Sequence, residues 1–401
     1  MIKKILGLLA IIFLIVVFMY KDLYTRVSTI STLFTGVEQY ENFNRFYKFI
    51  DSSTLPSSPN PIKLNSGTAI SLPINFNYNN EKIDTQGFIE RTDTSALLVL
   101  KDGKIQFEKY WLTGGETVQW ISMSMAKSFI STLIGIAIEQ GHINNIDEPI
   151  SDYVPELQNS AYNNVRIKDV LQMSSGASWN EDYSDPNSDI NRWSKIFALG
   201  GSFDEFITTL TNDFKPGSLN HYNSMDTQAL GMLLTRATEK SITNYMTEML
   251  WHPMGAENES YWLLDSEGME MAFAGLNATA RDYAKLGELY RLGGKLKGQQ
   301  IVPELWVQRS ITPDAPHLMP GDNPLSDYPM GYGFQWWIPE GNNNEFCAIG
   351  VYNQFIYVAP NSDMVIVKLS ANSAYGTSPE ESMSSELETL EFLRAIANKD
   401  S

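Results

Sequence analysis

Apolar and polar positions fall into three regimes along the chain. The first is an unbroken apolar run, Ile5–Tyr20, preceded by Lys3 and Lys4 and closed by Lys21 and Asp22. The second, residues 21 to about 85, is polar. Its stretch Leu55-Pro-Ser-Ser-Pro-Asn-Pro61 excludes a helix interior, because each proline removes a backbone donor and clashes with the preceding turn. The third begins near Gly87 and has the patterning of a folded domain. Ser95–Lys101 and Lys104–Trp111 are strand-like runs around Asp102-Gly103, a dipeptide that tolerates the positive φ values of a two-residue hairpin.

A helix is predicted from about Ser124 to Gln140, with Gly141 as its stop. Phe129, Ile130, Leu133, Ile134, Ile136, Ala137 and Ile138 cover nearly every face of it, so it is expected inside the core. Helical periodicity returns at 165–173, 227–238, 242–250 and 280–292. Strand-like runs follow at 333–338, 345–349, 354–359 and 363–369, and a last helix is predicted near 379–398. A hairpin first, helices in the middle and antiparallel strands with a helix last is an α+β order. No G-x-G-x-x-G follows a strand, which argues against a dinucleotide fold.

Composition narrows the function classes. With 401 residues and 43% hydrophobic content, the chain can bury a large core. A formal charge of −18 supplies no basic footprint for nucleic acid. Cys347 is the lone cysteine, so no intrachain disulfide can form, and His142, His221, His252 and His317 show no metal-ligand spacing. No metal and no cofactor are expected. The basic start and apolar run read as an export address. The run is long for a signal core and no small-x-small cleavage site follows it, which favours an uncleaved anchor over a cleaved signal peptide. The expected organisation is a signal-anchor or signal peptide over 1–21, a tether and wrapping segment over 22–85, and a catalytic domain over 86–401. That places the domain on the extracytoplasmic, periplasmic face, held at the inner membrane by residues 5–20.

Three segments carry candidate chemistry. In Ser122-Met-Ser-Met-Ala-Lys-Ser128, Ser124 and Lys127 are three residues apart at a helix start and share one face. Serine needs an adjacent base to act as a nucleophile, and lysine can be that base only if burial lowers its pKa. The same helix terminus presents the Ser124 N–H to a developing oxyanion. Lys215–Ser224 places Tyr222 in a loop entering a helix, where a phenolate stabilised by a nearby ammonium would relay protons. Gly350, inside a predicted strand, marks close approach of a ligand to backbone. There the Val351 N–H would complete an oxyanion pair with that of Ser124.

In this order, Ser124-x-x-Lys127, Tyr222-x-Ser224 and Ala348-x-Gly350 resemble the three motifs of β-lactamase-related serine hydrolases. The segments Gly141–Ile150, Ile167–Gly176, Asn277–Asp282 and Tyr332–Trp337 carry the likeness across residues 85 to 401. It implies a β-lactamase/transpeptidase-like fold: a five-stranded antiparallel sheet flanked by helices, with an all-helical lobe and the site between them. Two positions depart from the pattern. Ser224 stands where asparagine is usual, and Ala348 where lysine or histidine commonly helps to hold a substrate carboxylate. Both departures, with Gly350-Val-Tyr352-Asn-Gln354 and Glu181–Asp189, resemble the 6-aminohexanoate-oligomer hydrolases and carboxylesterases of this superfamily. That resemblance implies that Tyr183 contacts the scissile amide and that Asn277 lines the pocket.

The expected function is hydrolysis of a small ester or amide through a Ser124 acyl-enzyme, with Lys127 and Tyr222 moving protons and Gly350, Val351 and Ser224 framing the substrate. The alternative is a membrane-anchored acyl-trapping sensor or an inactive scaffold on the same fold; within enzymes, a β-lactamase or D-Ala carboxypeptidase stays open. A histidine triad is disfavoured because the chain has no G-x-S-x-G elbow around its serines, and no histidine supports Cys347 as a nucleophile.

Overall fold

The structure, a computed structural model, describes residues 39–398 and scattered positions before them. Its main sheet has eight strands: β1 (Asn65–Ser66), β2 (Thr94–Lys101), β3 (Lys104–Tyr110), β4 (Gly331–Tyr332), β5 (Trp337–Ile338), β6 (Phe346–Gly350), β7 (Gln354–Ala359) and β8 (Met364–Ser370). Their order is β4-β5-β6-β7-β8-β2-β3-β1. All neighbours are antiparallel except β1, which runs parallel to β3. The hairpin β2–β3 turns through Asp102 at φ 50° and Gly103 at φ 68°, the left-handed pair its sequence announces.

Five long strands, β2, β3, β6, β7 and β8, make the sheet that the resemblance implied, and three two-residue strands widen it to eight. The strand expected over 333–338 forms only at its end. Gln335 takes φ 61°, and its side chain bonds Leu171 O at 2.9 Å and the Thr227 hydroxyl at 2.5 Å, which turns the backbone out of the ladder.

Strand alternation puts an apolar surface on both sheet faces. Ala96, Leu98 and Leu100 of β2 join one core with Val365 and Val367 of β8; Leu97 and Val99 join the other with Ile366. The first face is covered by the helix Ala280–Arg291, which lies so close that a Cβ on Gly287 would sit 2.6 Å from Val365 Cγ1. The second is covered by the carboxy-terminal helix Pro379–Ala397 through Leu390, Phe392, Leu393 and Ile396. The helical lobe is built on the helix Ala126–Glu139, buried from Ala126 to Ala137, and on Ser224–Thr238 beside it.

From residue 39 onward, the polar amino-terminal segment wraps the domain. Ser52–Leu55 pairs with Ser260–Leu263 in a separate four-stranded sheet, and the Asn75–Asp84 hairpin rests on the carboxy-terminal helix through Phe76 and Phe392. Among the described residues, no helix is long and apolar enough to cross a membrane. The expected membrane segment, residues 5–20, lies outside them apart from isolated positions.

Candidate active site

Ser124 sits in a single 3-10 turn, Met123–Met125, that runs into the helix Ala126–Glu139. Met123 before it has φ 47°, a left-handed backbone for a bulky residue, so the turn is held by its surroundings. One turn on, Lys127 is 2% exposed, with Nζ 3.1 Å from Ser124 Oγ, 2.9 Å from Ser224 Oγ and 3.3 Å from Phe273 O. Burial lowers its pKa to about 8, against the opposing pull of Glu181 and Asp226. A share of Lys127 is therefore the neutral amine near neutral pH.

Tyr222 precedes Asn223, whose side chain caps the helix Ser224–Thr238. It lines the same cavity as Ser124, and its ring stacks on Trp337 at 5.3 Å. The phenolate expected from the sequence is not what the site favours. Burial and then the Glu181 charge push the Tyr222 pKa well above its ordinary value, and the Lys127 ammonium lies 5.1 Å from the ring centroid. Tyr222 is thus held as a phenol, a donor.

Gly350 ends β6 against the Met123–Met125 turn. A Cβ there would lie 2.6 Å from Ser122 O and 3.0 Å from the Ser124 nitrogen, so only glycine lets the strand end and the Ser124 amide lie side by side. The following turn is tied down by Gln354, which donates to Val351 O at 3.2 Å and accepts from Trp120 Nε1 at 3.1 Å and Ser370 N at 3.0 Å.

Sequence reasoning missed the role of Glu181. Its carboxylate accepts from Ser224 Oγ at 2.6 Å, Ser224 N at 2.9 Å, Trp179 Nε1 at 2.6 Å and the Tyr183 hydroxyl at 3.0 Å. Ser224 thereby links Glu181 to Lys127. The one available signal was its place at the head of the Glu181–Asp189 stretch. Because its charge holds the Lys127 pKa up, Glu181→Gln is expected to move the rise of kcat/KM with pH to lower pH. A midpoint unchanged from wild type in a pH–rate profile would show that the two groups do not communicate.

Ser124, Tyr183 and Val351 stand where two chambers meet. The first, about 500 Å³, is lined by Glu181, His221, Tyr222, Tyr328, Trp337 and Glu386. The second, about 600 Å³, is apolar, with Phe46, Ile190, Trp193, Phe197 and Phe273 in its wall. Asn277 does not join them. It is buried in the strand Leu276–Ala278 beside Ile121, and its amide donates to Gly275 O at 2.9 Å. Its place in a buried strand keeps it out of the walls of both chambers, where the resemblance implied it would be.

Neither competing nucleophile system assembles. His221 has both ring nitrogens engaged, with Trp179 O at 2.7 Å and Asp327 at 2.9 Å, and the Asp327 hydrogen bond raises its pKa to about 9. Cys347 is buried in β6, and burial pushes its thiol up. Ala348 belongs to the core, and Ile349 is the β6 side chain facing the first chamber.

The profile of the β-lactamase family matches residues 82–384. The chain belongs to that family. It is 30% identical over 296 residues to the 6-aminohexanoate-dimer hydrolase of Paenarthrobacter ureafaciens, covering 72% of this chain and 75% of that one. Among solved structures, a Bacillus anthracis protein assigned as a 6-aminohexanoate-dimer hydrolase superposes with a TM-score of 0.81 at 22% identity, over 92% of this chain and 96% of that one. EstCE1, a hydrolase with promiscuous acyltransferase activity, gives 0.59 at 15% identity over 78% of this chain and 99% of that one. The last two likenesses speak to the fold, which is the β-lactamase/transpeptidase-like α+β fold with its sheet, flanking helices and helical lobe.

Proposed function

We propose that this family member is a serine hydrolase that cleaves a linear ester or amide by way of an acyl-enzyme on Ser124. The observation that carries the reading is the Lys127 Nζ, fully enclosed and 3.1 Å from Ser124 Oγ. Neutral Lys127 takes the Oγ proton as Oγ bonds to the substrate carbonyl carbon. The carbonyl oxygen becomes an oxyanion facing the Ser124 and Val351 amides. Tyr222, held as a phenol, gives its proton to the leaving oxygen or nitrogen as that bond breaks, and recovers one from Lys127. Water then enters by the same steps in reverse, releasing the acid and restoring Oγ–H. No step needs a metal or cofactor. A hydrolysis panel of short p-nitrophenyl esters, linear ω-amino acid amides and a cephalosporin tests the reading. Turnover supports it, and a single burst leaving a stable adduct would instead support an acyl-trapping sensor.

Substrate charge follows from β6. Ala348 and Ile349 offer no cation to a carboxylate, and an ionised carboxylate desolvated without one costs a few kcal/mol. Arg192 is paired with Asp189 at 2.5 Å, and Lys195, in the wall of the second chamber, donates to Pro186 O at 2.8 Å. We expect kcat/KM for p-nitrophenyl butyrate to exceed that for benzylpenicillin by at least ~100-fold, the ratio given by ~2.7 kcal/mol. Equal efficiencies would mean that another residue holds the carboxylate, with Lys195 the first to replace.

The basic start and the run Ile5–Tyr20 support export with retention at the membrane. A carboxy-terminal alkaline phosphatase fusion should be active and sediment with membranes. An inactive fusion places the domain in the cytoplasm, and a soluble, trimmed, active one means a cleaved signal.

A further inference from the structure

The two chambers that meet at Ser124 are not equivalent ends of one cleft. Tyr222, the proton donor of the proposed reaction, lines the first chamber and not the second. Ser124 and Val351, which supply the nucleophile and the oxyanion amides, line both. A proton is transferred only within hydrogen-bond reach, so the oxygen or nitrogen that leaves must lie on the Tyr222 side. The carbonyl carbon held at Ser124 carries one other substituent, the acyl chain. With the leaving group in the first chamber, that chain is directed into the second.

The wall of the second chamber suits an uncharged aliphatic chain. Its aromatic side is fixed by ring contacts: Phe273 meets Trp193 edge-on at 4.8 Å, and Phe197 stacks on Trp193 at 5.4 Å. Leu263 and Met271 add aliphatic surface. Polar side chains in the wall are already committed to the protein. The Asn191 amide donates to Tyr183 O at 3.1 Å and Asp185 O at 2.8 Å, Ser194 Oγ to Ile190 O at 2.9 Å, and Lys195 to Pro186 O at 2.8 Å. Among the described residues no aspartate or glutamate lines this chamber, whereas Glu181, Asp327 and Glu386 line the first. An ammonium group placed in the second chamber would lose its hydration with no opposite charge to replace it. The volume is far beyond a packing fault. An apolar cavity of ~150 Å³ already takes a benzene ring, so a chamber of about 600 Å³ has room for an aliphatic chain of roughly eight carbons.

We infer that the second chamber is the acyl pocket and takes an uncharged aliphatic acyl chain of roughly eight carbons, while the leaving group occupies the first chamber. This rests on the serine-hydrolase reading of Ser124. It deepens that reading by giving the two sides of the scissile bond separate chambers of different chemistry. A cavity left by loose packing alone would show no dependence on acyl length.

The test lengthens one side of the ester at a time, with the full chain and sub-micellar substrate. One pair is p-nitrophenyl butanoate and octanoate; the other is butyl and octyl acetate, followed by acid release. Full burial of a methylene is worth ~4-fold, from ~0.8 kcal/mol. With burial only half complete, the four added acyl methylenes should raise kcat/KM at least ~15-fold in wild type. Ala198→Trp places an indole in the second chamber's wall and should bring the octanoate-to-butanoate ratio below ~3-fold. The octyl-to-butyl acetate ratio should not move in that variant, because the alcohol lies in the other chamber. Each ratio is taken within one protein, so a general loss of activity cancels. A fall in the octyl acetate ratio with the octanoate ratio kept would reverse the sides and overturn the assignment. Should the variant fail to fold, wild type alone decides: no gain from butanoate to octanoate overturns the pocket. Absence of ester turnover in wild type, or its persistence in Ser124→Ala, sinks the hydrolase reading instead. Calorimetric titration of wild type with 1-octanol then still reads the chamber directly, and no heat of binding overturns it.

Discussion

Ser124→Ala is expected to lower kcat/KM for p-nitrophenyl acetate by at least ~10⁴-fold, leaving only what binding and the oxyanion amides contribute. Its neighbours serve as controls because their hydroxyls are already engaged. Ser122 Oγ donates to Met123 O at 2.9 Å and bonds Ala274 O at 3.2 Å, while Ser128 Oγ donates to Gln335 O at 2.7 Å. Ser122→Ala and Ser128→Ala should keep most of the activity. Each would lose a buried hydrogen bond, worth ~1 kcal/mol of stability and visible as a lower Tm. Ester turnover at the wild-type rate by Ser124→Ala would end the proposed mechanism; equal losses at all three serines would point to disruption of the turn rather than removal of a nucleophile.

Lys127→Ala should cost about 10³-fold in kcat/KM, the range typical of a lost proton-transfer group. The diagnostic is the pH profile. Below about 8 Lys127 is an ammonium and cannot take the serine proton; above it the amine is free. Wild-type kcat/KM should therefore rise with pH through about 8, and the variant should lose that rise. Lys127→Arg should not rescue it, because a guanidinium remains charged across the range. An arginine variant with wild-type rate and profile would show that position 127 needs only a positive charge, and that the base lies elsewhere.

What the sequence made legible was local. The hairpin at Asp102-Gly103, the helix behind Ser124 and the strand Gln354–Ala359 form where periodicity and turn chemistry place them, because each depends on contacts within a few residues. The Ser124–Lys127 contact is of this kind, one helical turn. Features that depend on distant segments meeting were not legible. Glu181 reaches Lys127 through Ser224, 43 residues away along the chain, and no spacing rule encodes that bridge. The protonation of Tyr222 was not legible, because the burial and the Glu181 charge that raise its pKa come from distant segments. Asn277 was placed in the pocket by resemblance alone, and its strand turns it into the core. Gln335 interrupts a well-patterned strand because its side chain has partners on two helices of the lobe.

The sheet order also has a temporal meaning. The central pair β8–β2 joins residues 364–370 to residues 94–101, and the amide expected to face the oxyanion, Val351, comes only just before β8. A chain growing from the ribosome thus has its serine and lysine long before it has the strands that close the sheet around them. Pairing across so long a loop is slow, since its closure entropy must be overcome before the contacts form. The nascent chain consequently holds Ser124 and Lys127 before the strands that bury them, and the proposed acyl site is complete only when synthesis has passed β8.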